Sequence, residues 1–153
     1  MHIDLKTADK KERYKLLMSS ILPRPIALVT TQDEEGRVNA APFSFFNIMA
    51  STPAIVVLGI DSKSPGVPKD TVRNMQLTKE FVVNMVSEDI VEKMSLCASP
   101  LPAGEDELQF SGLTAAPSIQ VKPPRIAESP INMECRIVEI MDIGTIGISS
   151  SAM

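Results

Sequence analysis

The stretch Arg24 to Asn47, RPIALVTTQDEEGRVNAAPFSFFN, decides how this chain is read. A short apolar run, Ile26-Ala27-Leu28-Val29, closes on two threonines, Thr30 and Thr31. The acidic turn Asp33-Glu34-Glu35-Gly36 follows, and then a second extended run from Val38 to Ser44. Two β-prone runs joined by a short polar loop containing glycine predict a β-hairpin. Its far end, Asn39-Ala40-Ala41-Pro42-Phe43-Ser44, combines small side chains, a proline and a hydroxyl set between aromatics. Small residues let a flat ligand approach the backbone, and Ser44 offers a hydrogen bond to a ring edge. The same composition also describes an edge strand with a bulge at Pro42, because proline cannot donate to a central ladder.

Upstream of the hairpin, Thr7 is a candidate N-cap for a helix over Ala8 to Ser20. Tyr14, Leu17, Met18 and Ile21 recur at helical spacing and form an apolar face, which Pro23 ends. Downstream, Phe45 to Met49 is a dense apolar patch leading into Ser51-Thr52-Pro53. Ala54 to Ile60 is a continuous apolar run and predicts a strand buried on both faces. Asp61 to Lys69 is a loop of Ser, Pro and Gly, after which Asp70 is placed to cap a short helix over Thr71 to Leu77. Glu80 to Met85 predicts a strand. Ser87 then opens a helix with Ile90, Val91, Met94 and Cys97 facing inward. A Pro-, Gly- and acid-rich loop covers Pro100 to Glu107, Leu108 to Leu113 is weakly periodic, and Ile119 to Lys122 alternates before Pro123-Pro124. Ile131 to Ile140 alternates over ten residues, the pattern of a half-buried strand. Many strands with turn signals between them predict a mainly β fold, a β-barrel with added helices. No internal repeat or second domain is evident, so residues 1–153 read as a single domain.

Composition narrows the function classes. At 44% hydrophobic and 22% charged residues the chain reads as an ordinary soluble protein. A net charge of -4 argues against a non-specific nucleic-acid or anionic-membrane surface. No apolar run nears the roughly 20 residues that span a bilayer. The charged start MHIDLKTADKKERY lacks an apolar signal core, so a cytoplasmic location is expected. Cys97 and Cys135 are far apart, without metal-type spacing, and read as buried reduced thiols. The one histidine, His2, lies at the terminus, which leaves histidine catalysis without a candidate. No paired glutamates, Walker loop or zinc spacing occurs. No catalytic side chain and no metal ligand are expected, which suits chemistry carried by a bound cofactor.

RPIALVTT, then G-x-x-NAAPFSFFN, STPAIVV, KDTVRN and EFVVNM, in that order, resemble the flavin reductase-like family. The resemblance runs from the first helix to Ile140 and implies an FMN-binding split β-barrel of Greek-key type. It implies a flavoprotein oxidoreductase that passes hydride or electrons from NADH or NADPH to flavin or a further acceptor, and a homodimer with flavin near the subunit interface. Members of that family continue through further strands, so after Ile140 the segment MDIGTIGISSSAM leaves barrel closure in question. Two other readings stand beside the enzyme: a flavoredoxin-like FMN electron carrier that never meets NAD(P)H, and a flavin-free barrel module serving in assembly.

The expected flavin contacts follow from these segments. Ala41, Pro42, Phe43 and Ser44 suit a ring slot, and Asn39 has the donor and acceptor of a pyrimidine-edge partner. Thr30 and Thr31 offer hydroxyls to a ribityl chain or phosphate, or are simply β-branched strand residues. Lys69 and Thr71, at the start of the short helix, suit a phosphate, with Ser62 and Lys63 on the other side. Ordinary capping by Asp70 explains the same local sequence. Where the family often carries arginine this chain has Lys63, which keeps the charge and loses the fork. Arg24 between two prolines reads either as a phosphate or pyrimidine partner or as a surface charge. Asn74, one turn from Thr71 on the short helix, is placed to buttress the site, and Asn84 to satisfy a buried backbone group.

Overall fold

The computed structural model describes residues 2–64, 66–101, 106–143 and 146–152, the last stretch by its backbone alone. The parts of the two loops read at 61–69 and 100–107 that fall on residues 65 and 102–105 lie outside it.

The hairpin forms as its sequence predicts. β1 (Ala27–Gln32) pairs antiparallel with β2 (Val38–Phe43), from Ala27 opposite Phe43 to Gln32 opposite Val38. The acidic turn is held by Asp33, whose carboxylate accepts from the backbone N–H of Glu35 and Arg37 and pairs with the Arg37 guanidinium at 2.6 Å. Gly36 adopts φ +85°, a left-handed conformation that glycine reaches without a Cβ clash.

The apolar patch after the hairpin is itself a strand, β3 (Phe46–Ser51), which pairs with β4 (Ala54–Ile60) around a register shift between Ile48 and Ala50. β5 (Glu80–Met85) lies beside β1. β6 (Ala115–Ala116) and β7 (Arg125–Ile126) pair with each other outside this sheet. β8 (Asn132–Ile143) pairs with β5 and runs three residues past Ile140, with a second register shift between Ile137 and Glu139. Ile137 packs against the interior core while Val138 is exposed. β9 (Ile146–Ala152) lies between β8 and β4. The segment that sequence reading left beyond the last strand therefore joins the two halves of the sheet. Among the described residues the sheet has the order β2-β1-β5-β8-β9-β4-β3, antiparallel at every pairing.

The two edges of that sheet, β2 and β3, are consecutive in the chain and meet at a two-residue corner, Ser44-Phe45. The sheet thus curls back on itself into a barrel. At the corner the Gly59 N–H of β4 donates to the Phe45 carbonyl at 2.7 Å, and a Cβ at Gly59 would lie 2.9 Å from the Phe45 Cβ. Glycine is what lets the strands approach this closely.

Two cores result. Inside the barrel, Ala27, Val29, Phe43, Phe46, Val56, Leu58, Ile60, Phe81, Val83 and Cys135 pack with Met75 of α2 (Asp70–Thr78). Full burial of a side chain such as Phe81 contributes about 1.5–3 kcal/mol. Outside, Leu28 and Ala40 are covered by Ile90, Met94 and Cys97 on and beside α3 (Val91–Leu96), and by Leu108 of α4 (Glu107–Ser111) with Leu113 and Ile126. Both faces of β1 are covered, which is why it reads as a continuous apolar run.

Several local expectations are corrected. α1 (Lys10–Ser20) is capped by Asp9, whose carboxylate accepts from the Glu12 N–H at 2.8 Å, and not by Thr7. Its apolar residues Tyr14 and Leu17, and Ile21 just after it, are exposed in the single chain. Val91 faces solvent while Ile90, Met94 and Cys97 are buried, because a 3-10 turn over Glu88–Ile90 changes the phase before α3 begins. Ile119 to Lys122 is a loop, and Ile119 is 86% exposed. Carboxylates take the place of a ladder there: Glu134 accepts from the Ile119 and Gln120 N–H groups, and Glu80 from that of Lys122. Burial would raise the Glu134 carboxyl, but these N–H donors hold it below the usual range.

Candidate functional site

The site begins where α2 meets the open end of the hairpin. Along β1 the side chains alternate, so Thr31 shares the barrel-interior face of Ala27 and Val29 while Thr30 shares the outer face of Leu28. Across the ladder, Asn39 lies opposite Thr31. α2 supplies one partner to each: Asn74 Nδ2 donates to Thr31 Oγ1 at 3.1 Å, and Asn39 Nδ2 donates to Thr71 Oγ1 at 3.0 Å. Asn74 and Thr71 lie one helical turn apart, so a single face of α2 meets both strands. Asn74 thus reaches the hairpin through Thr31.

Asp70 does not cap α2. The cap residue is Lys69, which makes no side-chain hydrogen bond to the first turn, and Asp70 is the first helical residue. Its carboxylate is taken instead by Lys63, from the preceding loop, and by Arg73. Three cations and one carboxylate leave two net positive charges around the start of α2, where the helix dipole adds its own positive end. The Lys69 ammonium lies 5.2 Å from the centre of the Phe43 ring, over the end of β2. Ala41, between Asn39 and Phe43 on the same face, is partly buried against the interior core.

Thr31, Asn39, Ala41, Phe43, Lys69, Thr71 and Asn74 are therefore gathered on one side, with Lys63 tied in through Asp70. Ser62 is half-buried on the loop leading to them. Thr30 is on the other side of the sheet: fully buried, it donates to the Pro124 carbonyl and accepts from Asn84 Nδ2 at 3.2 Å. That commits its hydroxyl to packing. Pro42 also lies on the opposite face from Asn39 and Phe43, at a sheet edge where no ladder donor is needed. Arg24 and Ser44 form a separate pair, with Nε donating to Ser44 Oγ at 3.3 Å. The rest of the Arg24 guanidinium donates to the Met18 and Ile21 carbonyls at 2.7 and 3.1 Å, at the C-terminal end of α1. Arg24 is thus half-buried and engaged, not a free surface charge.

Sequence reasoning missed two side chains here. Arg73 is a second partner of Asp70, legible in principle from its spacing of three on a helix. Glu107, on α4, accepts from the Ala40 N–H at 3.3 Å, and nothing local in an acid-rich loop signals that contact. Among the described residues no group of three or more His, Cys, Asp or Glu is placed to hold a metal ion, and no helix is long and apolar enough to cross a membrane.

The rolled sheet and the polar face between its edge hairpin and α2 define a split-barrel protein. The chain belongs to the flavin reductase like domain family, whose model matches residues 18–150. It is 44% identical over 144 residues to the uncharacterized protein BH2278 of Halalkalibacterium halodurans, covering 94% of this chain and 69% of that protein. Nitrilotriacetate monooxygenase component B from Bacillus cereus superposes with a TM-score of 0.96 at 33% identity, over 100% of this chain and 78% of that one. The 2-nitrobenzoate 2-nitroreductase NbaA of Pseudomonas fluorescens gives 0.90 at 36% identity, over 100% and 74%. A protein with a split barrel domain from Shewanella frigidimarina, at 20% identity, a TM-score of 0.86 and coverage of 99% and 77%, shares the fold.

Proposed function

We propose that the protein is an FMN-binding oxidoreductase that passes hydride from NADH or NADPH to flavin, and on to an acceptor. The observation that carries this reading is the meeting of the start of α2, bearing Lys69, with the Thr31–Asn39 face of the hairpin. The donor set fits FMN: a cationic helix start for a phosphate, hydroxyls and amides for polyol and pyrimidine, and the small Ala41, which would let a flat ring approach the strand. Bound there, FMN supplies the redox chemistry itself.

The chain's own part is to hold and orient. Lys69 and the first-turn N–H groups of α2 would hold the phosphate. Thr71 and Asn39, already bonded to each other, present a fixed pair of polar groups to the ligand, and Asn74 keeps Thr31 in place. Lys63 closes the phosphate side through Asp70. Similarity to a nitroreductase at 36% identity supports an enzyme over a carrier. Anaerobic NADH or NADPH is expected to bleach the long-wavelength band of FMN-loaded protein within seconds to minutes. Reduction by dithionite or a partner protein alone would make it a carrier, and failure to quench FMN fluorescence or to gain thermal stability with excess FMN would leave the flavin-free module.

The same reading includes a homodimer. Tyr14 and Leu17 on α1, Ile21 just after it, and Ile48 and Met49 on β3 are large apolar side chains exposed in the single chain. Light scattering of the purified protein is expected to give twice the 16.6 kDa chain mass. A monomer mass at micromolar concentration would refute the dimer.

A further inference from the structure

We propose that Glu107 is a positioning residue for the flavin-bearing strand: from α4 it holds the outward backbone N–H of Ala40, fixing the edge of β2 between Asn39 and Ala41. This rests on the flavin reading above. β2 is a sheet edge, with β1 on one side and no strand on the other among the described residues. In an antiparallel ladder, successive residues turn their N–H and C=O groups alternately toward and away from the partner strand. Ala40 donates to Glu107 Oε2 at 3.3 Å, so its group points outward, and Pro42 shares that direction. Proline has no N–H. Between Asn39 and Phe43, Ala40 therefore carries the one outward donor by which this edge can be anchored. Its neighbours on either side are the two small or polar residues of the ligand face.

The bond is well placed to act. Glu107 is half-buried at the first position of α4, whose Asp106 cap accepts from the Leu108 and Gln109 N–H groups. Burial pushes the Glu107 carboxyl above its ordinary range and Asp106 adds to this, while the Ala40 N–H and Lys63 pull it back. The other titratable group against it is Cys97, beside α3, whose thiol lies 3.8 Å from the Glu107 carbonyl and is itself pushed up by burial. Glu107 thus faces Asp106 from its own segment, Lys63 from the loop before α2, and Cys97 from α3.

A strand-positioning role acts on the ring, which FMN and riboflavin share, and not on the phosphate. Glu107→Ala is expected to weaken both flavins equally, roughly 5- to 20-fold for the loss of one charge-assisted bond. Glu107→Gln keeps an acceptor oxygen and is expected to stay within about 2-fold. Glu107→Asp keeps the charge, is one methylene shorter, and is expected to lose affinity as the alanine variant does. It serves as the second test should alanine fold poorly. Riboflavin affinity of the wild-type protein is expected to fall by no more than about 2-fold as pH drops through the Glu107 titration, because the protonated carboxyl, like the Gln amide, keeps an acceptor oxygen for the Ala40 N–H, and to be flat in Glu107→Gln. The Ala40 amide is expected to exchange slowly in wild type and Glu107→Gln and faster in Glu107→Ala. Unchanged riboflavin affinity in both the alanine and aspartate variants overturns the proposal, as does a loss confined to FMN. Wild-type protein that binds neither flavin overturns the reading on which it rests, and is told apart by that first titration.

Discussion

Replacing Asn84 with alanine is expected to lower stability by about 3–5 kcal/mol, a large share of what a domain of this size has. Asn84 is fully buried on β5 and uses its whole amide. Nδ2 donates to the Leu28 carbonyl at 2.9 Å and to Thr30 Oγ1 at 3.2 Å. Oδ1 accepts from the Ile126 N–H and from Asn132 Nδ2, both at 2.8 Å. One side chain therefore ties β1 and β8 to the two-residue strand β7 (Arg125–Ile126). Truncation leaves the Ile126 N–H without its partner in a place water does not reach, and weakens three other groups. Each orphaned buried group costs about 1–3 kcal/mol, more than the net worth of the bond it made. Asn132 keeps the Ile126 carbonyl and Thr30 keeps the Pro124 carbonyl, which holds the total below the sum of four full losses. The melting temperature should drop by roughly 6–20 °C. Urea unfolding of the two proteins measures it, and a loss under about 1 kcal/mol would mean that water or a shifted backbone replaces the amide.

The second large effect is on the ligand. Under the proposed function, Lys69→Ala should weaken FMN roughly 10- to 150-fold and leave riboflavin nearly unchanged, since a charge-assisted contact to a partly buried anion is worth about 1.5–3 kcal/mol. The case for Lys69 over its neighbours comes from the pairing around Asp70. That carboxylate already occupies Lys63 and Arg73, whereas among the described residues the contact Lys69 makes is with the Phe43 ring, an attraction of about 0.5–1 kcal/mol at a partly exposed site. Lys63→Ala should therefore cost less than Lys69→Ala. Loss of the ring contact alone would move FMN and riboflavin together, so the difference between the two flavins isolates the phosphate. Equal losses would make Lys69 a packing residue. No loss for either would shift attention to Arg24 and Ser44, the other cation–hydroxyl pair near the end of β2.

Much of the architecture was legible because it is local. The β1–β2 hairpin announces itself by two β-prone runs around Asp33 to Gly36, and the structure closes that turn with the Asp33–Arg37 contacts such a spacing allows. Pro42 marks an edge because a missing N–H is a property of the residue itself, and β2 is the edge of the sheet. Asn74 and Asn84 were recognisable as polar residues beside apolar runs, which must find partners when buried, and both do.

What the sequence left open is what depends on residues far apart in the chain. β3 hides in an apolar patch, because a strand whose outer face carries Ile48 and Met49 does not alternate cleanly. β9 is small and polar in its second half, Ser149 to Ser151, and becomes a strand because β8 and β4 offer it a ladder on both sides. Asp70 looks like a cap by position, yet Lys63, seven residues earlier, and Arg73, three later, draw its carboxylate away and leave Lys69 at the cap. Thr30 and Thr31 are adjacent and chemically alike, and only the covering of both faces of β1 sends one to Pro124 and Asn84 and the other to α2. Sequence by itself determined the hairpin, the edge at Pro42 and the flavin reductase-like segments, each through short-range geometry or the identity of single residues. The tertiary structure alone decided which of their polar groups share a face, because the sides of a strand acquire different meanings only when different elements pack against them.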